Sequence, residues 1–349
     1  MKILILGAGA IGTMLGVALA EKNDVTFYVR EAKKEKLKNG MSLKMGSTTK
    51  TIEKPQCITT LSPQEIEQKF DLAIIAVKAY SLKDLLSNLD TELFKYILTC
   101  QNGIGNEEEL ISKYGKDKVV SSVITLPASV AGEGKTEVTN IKGGIAFGCD
   151  SEKIPLKEIA DTFAEAGFNT ITCDGYKSMK WSKVLLNMNS NALSAITSMT
   201  MEELFNSNSA TKIEKMAFCE AFKLIEQEDI KYCDLPGYPV KMMCFMYKYL
   251  PVFMIKFIMK VTGKAKSRGK KMPSLFIDLQ SGKSDSEIDV LNGAVVTLSK
   301  QLKQPAPYNE FLCNIFHELL TKKIDRDKYK NNPDKLLEDL EKYIKEGGN

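Results

Sequence analysis

The amino-acid sequence predicts an α/β protein in which an N-terminal domain built on a doubly wound parallel sheet precedes an all-α C-terminal domain. Apolar, strand-like runs alternate with helix-like segments through the first half of the chain, and this alternation favours a parallel sheet. From about Gly175 onwards helical periodicity dominates. The 349 residues suggest two domains, which we place at residues 1–174 and 175–325, followed by a charged helical tail at residues 326–349.

The N-terminus carries the strongest motif, because an apolar run over residues 3–6 leads directly into a glycine-rich turn. The turn consists of Gly7, Ala8, Gly9, Ala10, Ile11 and Gly12. The first glycine allows a tight turn, the second lets the backbone approach a pyrophosphate, and the third lets the following helix pack close to the strand. The segment therefore predicts a Rossmann-like dinucleotide site at a helix N-terminus. The alternative is a glycine-rich turn in a βαβ unit that binds nothing.

The second strand-like run, over residues 25–29, ends in Arg30, and Lys33 and Lys34 follow closely. An acidic residue at this position would bind an unphosphorylated ribose, whereas a basic residue accommodates a 2′-phosphate. The sequence therefore predicts NADP(H) rather than NAD(H) as the cofactor.

Further strands are predicted at residues 71–77, 96–100 and 118–126, with a helix at residues 79–89 after the first of them. Lys78 and Asn102 come just past two of these strands, where ligands bind on doubly wound sheets. We therefore expect both residues to face the cofactor. Residues 129–149, which are rich in Gly, Thr and Val, are predicted to form a hairpin added to the sheet.

The bulk composition disfavours several classes of function. The net charge is only +4 and the charged residues are mixed along the chain, which gives no reason to expect nucleic acid as a partner. The eight cysteines are scattered without metal-ligand spacing, so we expect reduced thiols in a cytoplasmic protein and no metal site. The single histidine, His317, lies in an apolar stretch and is expected to be structural, which disfavours a histidine base.

Residues 240–261 form an apolar segment that contains four lysines and Pro251. On a helical wheel three of the lysines fall opposite the apolar side that includes Met254, Phe257 and Val261. We expect a helix that packs on its own domain or on a partner in a homodimer formed through the C-terminal domain. Contact with a membrane surface is a less favoured alternative, and the lysines and the proline argue against a membrane span.

Two polar constellations in the second half could contact a ligand. Lys183, Asn187 and Asn191 are spaced so that one continuous helix would present them on a single face, although a solvated helix face explains the same pattern. Further on, Ser274 precedes a cluster that contains Ser286 and Glu287. Without further information, this cluster is better explained by helix capping through Ser286 and its neighbouring carboxylates.

Taken in order, these motifs resemble those of the ketopantoate reductases, also called 2-dehydropantoate 2-reductases, over roughly residues 1–320. The matching features are GAGAIG, Arg30 after the second strand, Val77-Lys78-Ala79, QNGIG at 101–105 with the following Glu-Glu-Leu, the Trp-Ser-Lys183 helix with both asparagines, Ser274, and Glu287-Ile-Asp289. The resemblance implies a Rossmann-like domain joined to an all-helical domain, with the active site in the cleft between them.

The resemblance also implies a role for each matching residue. Lys183 is the general acid, Asn187 and Asn191 bind the hydroxyl and carbonyl groups of the substrate, and Ser274 binds its carboxylate. Asn102 lies near the nicotinamide and the substrate, and Glu287 contacts the cofactor and the polar network around the lysine. The remaining cofactor contacts are Arg30 and Lys78 at the adenosine phosphate, the backbone of Ala128, and the glycine-rich turn.

The expected function is therefore the NADPH-dependent reduction of ketopantoate to pantoate, a step of pantothenate and coenzyme A synthesis. The sequence departs from the family pattern in a longer segment at residues 236–271 and in Met201, which replaces a polar substrate contact of some members. A paralogous reductase of another 2-oxo acid or ketone therefore stays open. So do a non-catalytic NADPH-binding or membrane-associated regulator and, more distantly, hydride transfer to an imine.

Overall fold

The computed structural model describes residues 1–64, 66, 68–78, 81–262, 272–281 and 286–347. The chain divides into two compact units. The N-terminal unit comprises residues 1–180 and 233–238, and the helical unit comprises residues 181–232 and 239–349. The division thus falls after Lys180, and a short segment of the second half of the chain belongs to the first unit.

The described residues of the N-terminal unit form twelve strands. They are β1 (Lys2–Leu6), β2 (Asp24–Tyr28), β3 (Met41–Met45), β4 (Thr48–Ile52), β5 (Gln56–Ile58), β6 (Phe70–Ile75), β7 (Phe94–Thr99), β8 (Val119–Ile124), β9 (Ala128–Gly132), β10 (Lys135–Val138), β11 (Ile145–Cys149) and β12 (Thr170–Asp174). The helices between them are α1 (Ala10–Leu19), α2 (Glu31–Leu37), α3 (Leu82–Asn88), α4 (Asn106–Tyr114) and α5 (Leu156–Glu165).

Eight of these strands form one sheet in the order β12-β11-β8-β7-β6-β1-β2-β5 within the described residues. The pairs from β8 to β5 are parallel, whereas β11 runs antiparallel to β8. The order turns back at β1, which lies between β2 and β6, and this is the topological switch point where doubly wound sheets bind ligands. The predicted α/β class with a doubly wound, mainly parallel sheet is confirmed.

Alternate residues of β1 serve two separate cores, as the period of a strand requires. Ile3 and Ile5 pack in the cluster that contains α1, while Leu4 and Leu6 pack in the cluster that contains α3 and α4. All four side chains are fully buried. Because helices cover both faces of the sheet, its central strands read as continuous apolar runs, and this is why the sequence located them.

The predicted hairpin over residues 129–149 is only partly correct. β9 and β10 do pair antiparallel, but they belong to a separate sheet in the order β4-β3-β10-β9. β11, by contrast, joins the main sheet. The physical reason lies in burial, because β9 is largely exposed and suits an edge, whereas most of β11 is buried and suits a sheet covered on both faces.

The helical unit continues α6 (Tyr176–Met188), which begins in the N-terminal unit. Its further helices among the described residues are α7 (Asn191–Thr197), α8 (Met201–Asn206), α9 (Asn208–Gln227), α10 (Val240–Tyr249), α11 (Val252–Val261), α12 (Ser274–Ser281), α13 (Asn292–Leu302), α14 (Pro307–Leu320) and α15 (Pro333–Lys345). In the described part of the chain, the residues after β12 contribute no further strand, as the helical periodicity predicts.

The charged C-terminal segment is helical as expected, but it is not simply a solvated tail. Leu336 and Leu340 of α15 are fully buried in the core of the helical unit, together with Tyr329 before the helix. Although most residues of this segment are charged, its leucines four residues apart share one face of the helix and form an apolar stripe.

The apolar segment at residues 240–261 forms two helices, α10 and α11, which are separated at Leu250 and Pro251. Tyr247 and Ile255 are fully buried, but Phe253 and Phe257 are 70% and 66% exposed. The expected single helix is therefore broken at Pro251, and the apolar side with Met254, Phe257 and Val261 is exposed. Packing of this side on a homodimer partner stays a prediction. In the described ranges, none of the helices has both the length and the apolar character needed to cross a membrane.

Candidate active site

The glycine-rich turn after β1 is shaped by two close backbone contacts. Gly7 adopts φ +104°, and a Cβ atom placed on it would lie 2.8 Å from Val77 Cγ1. A Cβ atom on Gly12 would lie 1.8 Å from the Gly7 carbonyl oxygen. No side chain fits at Gly12 without displacing this backbone, so the first and third glycines are required by the joint between β1 and α1.

The second glycine is in a different position, because it faces open space. Apart from Gly9 and its own neighbours along the chain, no atom of the described residues lies within 4 Å of a Cβ placed on Gly9. Gly9 is also the N-cap residue of α1, and neither a side-chain cap nor an acidic first-turn residue is found there in the described structure. The free helix start and the open space fit a pyrophosphate group.

The carboxyl ends of neighbouring parallel strands bring the other predicted cofactor residues to the edge that carries this turn. Arg30 follows β2, Lys78 follows β6 and Asn102 follows β7, and all three residues are exposed. Ala128, the remaining predicted contact of this unit, opens β9.

The basic residues after β2 differ in their availability. Lys33 pairs with Glu133, and Lys36 lies 3.9 Å from the same carboxylate. Arg30 forms no ion pair with any of the described residues. Of these three residues, Arg30 is the one whose charge is not paired with a carboxylate of the described residues.

A buried polar network behind the end of β7 was not predicted from the sequence. The ammonium group of Lys180 donates to the Gln101 carbonyl oxygen at 2.6 Å and lies 2.9 Å from Glu107 Oε1. The Lys180 and Glu107 side chains are only 2% and 1% exposed. The signal in the sequence is weak, because acidic residues at the start of a helix are typical of a solvated first turn.

The predicted row of Lys183, Asn187 and Asn191 is not on one helix. α6 ends at Met188, Ser190 adopts the left-handed φ of +61°, and α7 begins at Asn191. Lys183 and Asn187 keep the expected spacing on α6 and are both half-buried, whereas Asn191 is buried. The apolar residues of the same stretch, Val184, Leu185, Met188 and Leu193, are buried.

Asn191 and Ser274 are brought together within the helical unit. Asn191 Nδ2 donates to Ser274 Oγ at 3.3 Å, and Asn191 Oδ1 accepts from the Leu275 backbone N–H at 3.1 Å. The amide thereby holds the start of α12, at which Ser274 is exposed. Two residues that are 83 positions apart thus form one polar pair, as a shared ligand site requires.

The cluster around Glu287 is tied to the same helix. Asp278 of α12 accepts hydrogen bonds from Ser286 Oγ at 3.3 Å and from the Glu287 backbone N–H at 3.4 Å. Ser286 also caps the short turn Glu287–Val290 through the Ile288 N–H, so the capping role considered for it is present. His317, the single histidine, pairs with Asp289 at 2.8 Å.

A buried carboxyl group supports the break between α6 and α7. Glu214 of α9 accepts from the Ser190 backbone N–H at 2.6 Å. Burial raises the pKa of Glu214 from the ordinary 4.5 to about 8, against the opposing effect of the hydrogen bond from Ser190. A neutral carboxyl group therefore stabilises the turn that re-aims Asn191.

The parallel sheet, its switch point at β1 and the glycine-rich turn define a dinucleotide-binding protein of the Rossmann class. Comparison with known proteins places the chain more closely. Residues 3–152 match the family described as ketopantoate reductase PanE/ApbA, and residues 176–320 match its C-terminal domain. The chain belongs to this family, which confirms the resemblance seen in the sequence, and it is therefore an oxidoreductase.

Individual relatives are similar along nearly their whole length. A 2-dehydropantoate 2-reductase of Aquifex aeolicus is 28% identical over 326 residues, which cover 90% of this chain and 96% of that protein. The crystal structure of a ketopantoate reductase from Ralstonia eutropha has a TM-score of 0.75 at 25% identity and covers 93% of this chain and 99% of its own.

D-Mandelate dehydrogenase with NADH and anilino(oxo)acetate is similar in fold, with a TM-score of 0.70 at 23% identity and coverage of 92% of this chain and 99% of its own. Membership of the family implies a nicotinamide cofactor, which agrees with the open helix start at Gly9.

The contrast between the glycines gives a matched pair of variants. We expect Gly9→Ala to fold with an unchanged melting temperature, because its Cβ meets open space. The added methyl group should obstruct the pyrophosphate and weaken the binding of NADPH and NADH at least about tenfold, which is a loss of ~1.4 kcal/mol in binding free energy. Gly12→Ala is expected to weaken binding and also to lower the melting temperature, because its Cβ would clash with the Gly7 carbonyl oxygen. Fluorescence titration and thermal unfolding check both, and wild-type affinity in Gly9→Ala would contradict the assigned site.

The raised pKa of Glu214 predicts a pH dependence of stability. The folded state keeps a proton that the unfolded state releases between pH 4.5 and about pH 8, so the stabilisation present at low pH is lost as the pH rises through this window. We expect the free energy of unfolding to fall with a slope of up to ~1.4 kcal/mol per pH unit from this group. Urea denaturation at several pH values measures the slope.

Glu214→Gln should flatten this dependence, since a neutral amide can still accept from Ser190. The matched control is Glu338→Gln, which removes an exposed carboxylate of α15 and should leave the slope unchanged. Equal slopes in wild type and Glu214→Gln would refute the assignment.

Proposed function

We propose that the protein reduces 2-dehydropantoate (ketopantoate) to pantoate with NADPH. The observation that carries this proposal is the polar set of the helical unit, in which Asn191 meets Ser274 while Lys183 and Asn187 share one face of α6. These are the positions that the resemblance assigned to substrate. Membership of the ketopantoate reductase family and the name of the Aquifex aeolicus relative support the same reaction.

NADPH is preferred over NADH in this proposal because of Arg30. The exposed guanidinium stands at the carboxyl end of β2, where a 2′-phosphate would lie, and the described residues offer it no competing carboxylate. Guanidinium groups bind phosphate through paired, charge-assisted hydrogen bonds. The turn from Gly7 to Gly12 would hold the pyrophosphate, with Lys78 and Asn102 on the same edge of the sheet and the Ala128 backbone as a further contact.

The chain's own residues then have distinct tasks. When bound, the nicotinamide ring supplies a hydride to the C2 ketone of the substrate. Lys183 stabilises the negative charge that develops on the carbonyl oxygen and donates the proton that completes the alcohol. Asn187 orients the substrate through its amide. Ser274, positioned by Asn191, binds the substrate carboxylate, and Glu287 supports the cofactor and the polar network around the lysine.

Reduction of a different 2-oxo acid is the second candidate. Met201 stands at the first residue of α8, where some family members place a polar substrate contact, and Thr200 and Glu203 are engaged in a capping box at the same helix start. A changed contact here would alter the substrate but not the cofactor or the proton donor. Because the D-mandelate dehydrogenase of similar fold was solved with anilino(oxo)acetate, we include aromatic 2-oxo acids in the test set.

The decisive experiment measures NADPH oxidation with ketopantoate for wild type and Lys183→Ala. We expect turnover to fall on the order of 100- to 10,000-fold in the variant, because a general acid is lost. NADPH binding, measured separately by fluorescence, should stay near the wild-type value. The matched control is Lys177→Ala, which removes an exposed lysine from the same helix and should leave turnover unchanged.

Each other outcome has a definite meaning. Wild type that binds NADPH and ignores ketopantoate, yet reduces another 2-oxo acid with dependence on Lys183, identifies the second candidate. Binding of NADPH with no turnover of any tested ketone would refute the enzymatic proposal and favour a regulatory binder.

The cofactor preference is tested with Arg30→Asp. Loss of the charge-assisted hydrogen bonds to the 2′-phosphate should lower kcat/KM for NADPH by about 10- to 100-fold relative to NADH. Lys54→Asp is the control, because it makes the same change of charge at the amino end of β5, whereas Arg30 lies at the carboxyl end of the neighbouring β2. If the ratio of kcat/KM for NADPH to that for NADH is unchanged in Arg30→Asp, then Arg30 does not contact the phosphate.

A further inference from the structure

We infer that Lys180 is a positioning residue, which holds the backbone next to Asn102 in place for the reaction. The inference rests on the proposed function, since it concerns the loop that carries Asn102. It distinguishes two lysines that lie three positions apart on α6, since Lys180 is buried and Lys183 is half-buried.

The Lys180 ammonium group is committed to the interior of the N-terminal unit. One hydrogen bond goes to the Gln101 carbonyl oxygen at 2.6 Å, and Glu107 Oε1 lies at 2.9 Å. Glu107 Oε1 also accepts from Ser121 Oγ at 2.6 Å. With 2% of its side chain exposed, Lys180 has no access to a ligand on the surface of this unit, so it acts through Gln101.

Gln101 connects the two loops that follow β6 and β7. Its Nε2 donates to the Val77 carbonyl oxygen at 3.1 Å, and its Oε1 accepts from Thr99 Oγ1 at 3.2 Å. Val77 directly precedes Lys78, and Gln101 directly precedes Asn102. The contact from Lys180 therefore secures the residue that joins both cofactor loops.

Asn102 is held from both sides. Lys180 binds the carbonyl oxygen of the preceding residue, and Asn106 Nδ2 donates to the carbonyl oxygen of Asn102 itself at 3.2 Å. Gly103 and Gly105 adopt φ values of +89° and +106°, so the following backbone follows a path that few other residues allow. Such constraints fix where the Asn102 side chain leaves the loop.

Stability alone does not account for this pair. Burial of two charges carries a desolvation cost that apolar residues of similar size avoid. Glu107 Oε2 is moreover buried without a hydrogen-bond partner among the described residues, which adds to that cost. An apolar pair could fill the same space, but it could not donate to the Gln101 carbonyl group.

The test uses the double variant Lys180→Met/Glu107→Leu in the full chain. We expect it to fold, because both charges are removed together and no unpaired charge is left in the interior. Its kcat for ketopantoate should fall on the order of 10- to 100-fold through misplacement of Asn102. The pH profile of kcat should keep its wild-type shape, since Lys183 still supplies the proton, and amide hydrogen exchange should accelerate at residues 101–105.

A second variant, Glu107→Gln, removes the charge but leaves Lys180 on the Gln101 carbonyl oxygen. The proposal expects its kcat to stay within about threefold of wild type. A loss of kcat of about tenfold or more in Glu107→Gln would overturn the proposal, because charge and not position would then matter. This arm decides the question even if the double variant does not fold.

Two further outcomes would also overturn it. Wild-type kcat and exchange in the double variant would make the pair structural, and a changed pH profile would make Lys180 a proton donor. If wild type does not reduce ketopantoate, the proposed substrate fails, but faster exchange at residues 101–105 in the double variant would still support the positioning role.

Discussion

The close approach of α1 to the end of β1 is the constraint on which the rest of the N-terminal unit depends. With the Gly12 Cβ position only 1.8 Å from the Gly7 carbonyl oxygen, only glycine lets the helix start there. That packing leaves the start of α1 at Gly9 open, at the switch point between β2 and β6. A single steric requirement thus produces both the strand–helix joint and an open helix N-terminus, the kind of position at which anions bind in proteins.

Buried hydrogen bonds hold the loops at the carboxyl ends of β6 and β7, close to this switch point. Gln101 joins the loop after β6 to the loop after β7. Its carbonyl oxygen is bound by Lys180, which is paired with Glu107. The exposed ends of these loops carry Lys78 and Asn102. Buried polar groups thus hold the backbone of both loops, next to the exposed side chains.

The helical unit follows the same logic with different groups. Glu214 stabilises the backbone break at Ser190, and the break sends Asn191 to the start of α12 instead of along α6. α12 is in turn connected through Asp278 to the turn that carries Glu287. Asn191, which the family resemblance assigned to the substrate, thereby has a structural task, which is to position Ser274.

The sequence by itself determined the α/β class, the positions of the central strands along the chain, the glycine turn, and the helical character of the second half. These depend on local periodicity and on steric rules that act over a few residues. Tertiary structure decided the rest. The placement of β9 and β10 in a second sheet, the Lys180–Glu107 pair and the Asn191–Ser274 contact join positions far apart in the chain. Local spacing carries no information about such pairs, because the burial that creates them exists only once the chain has folded.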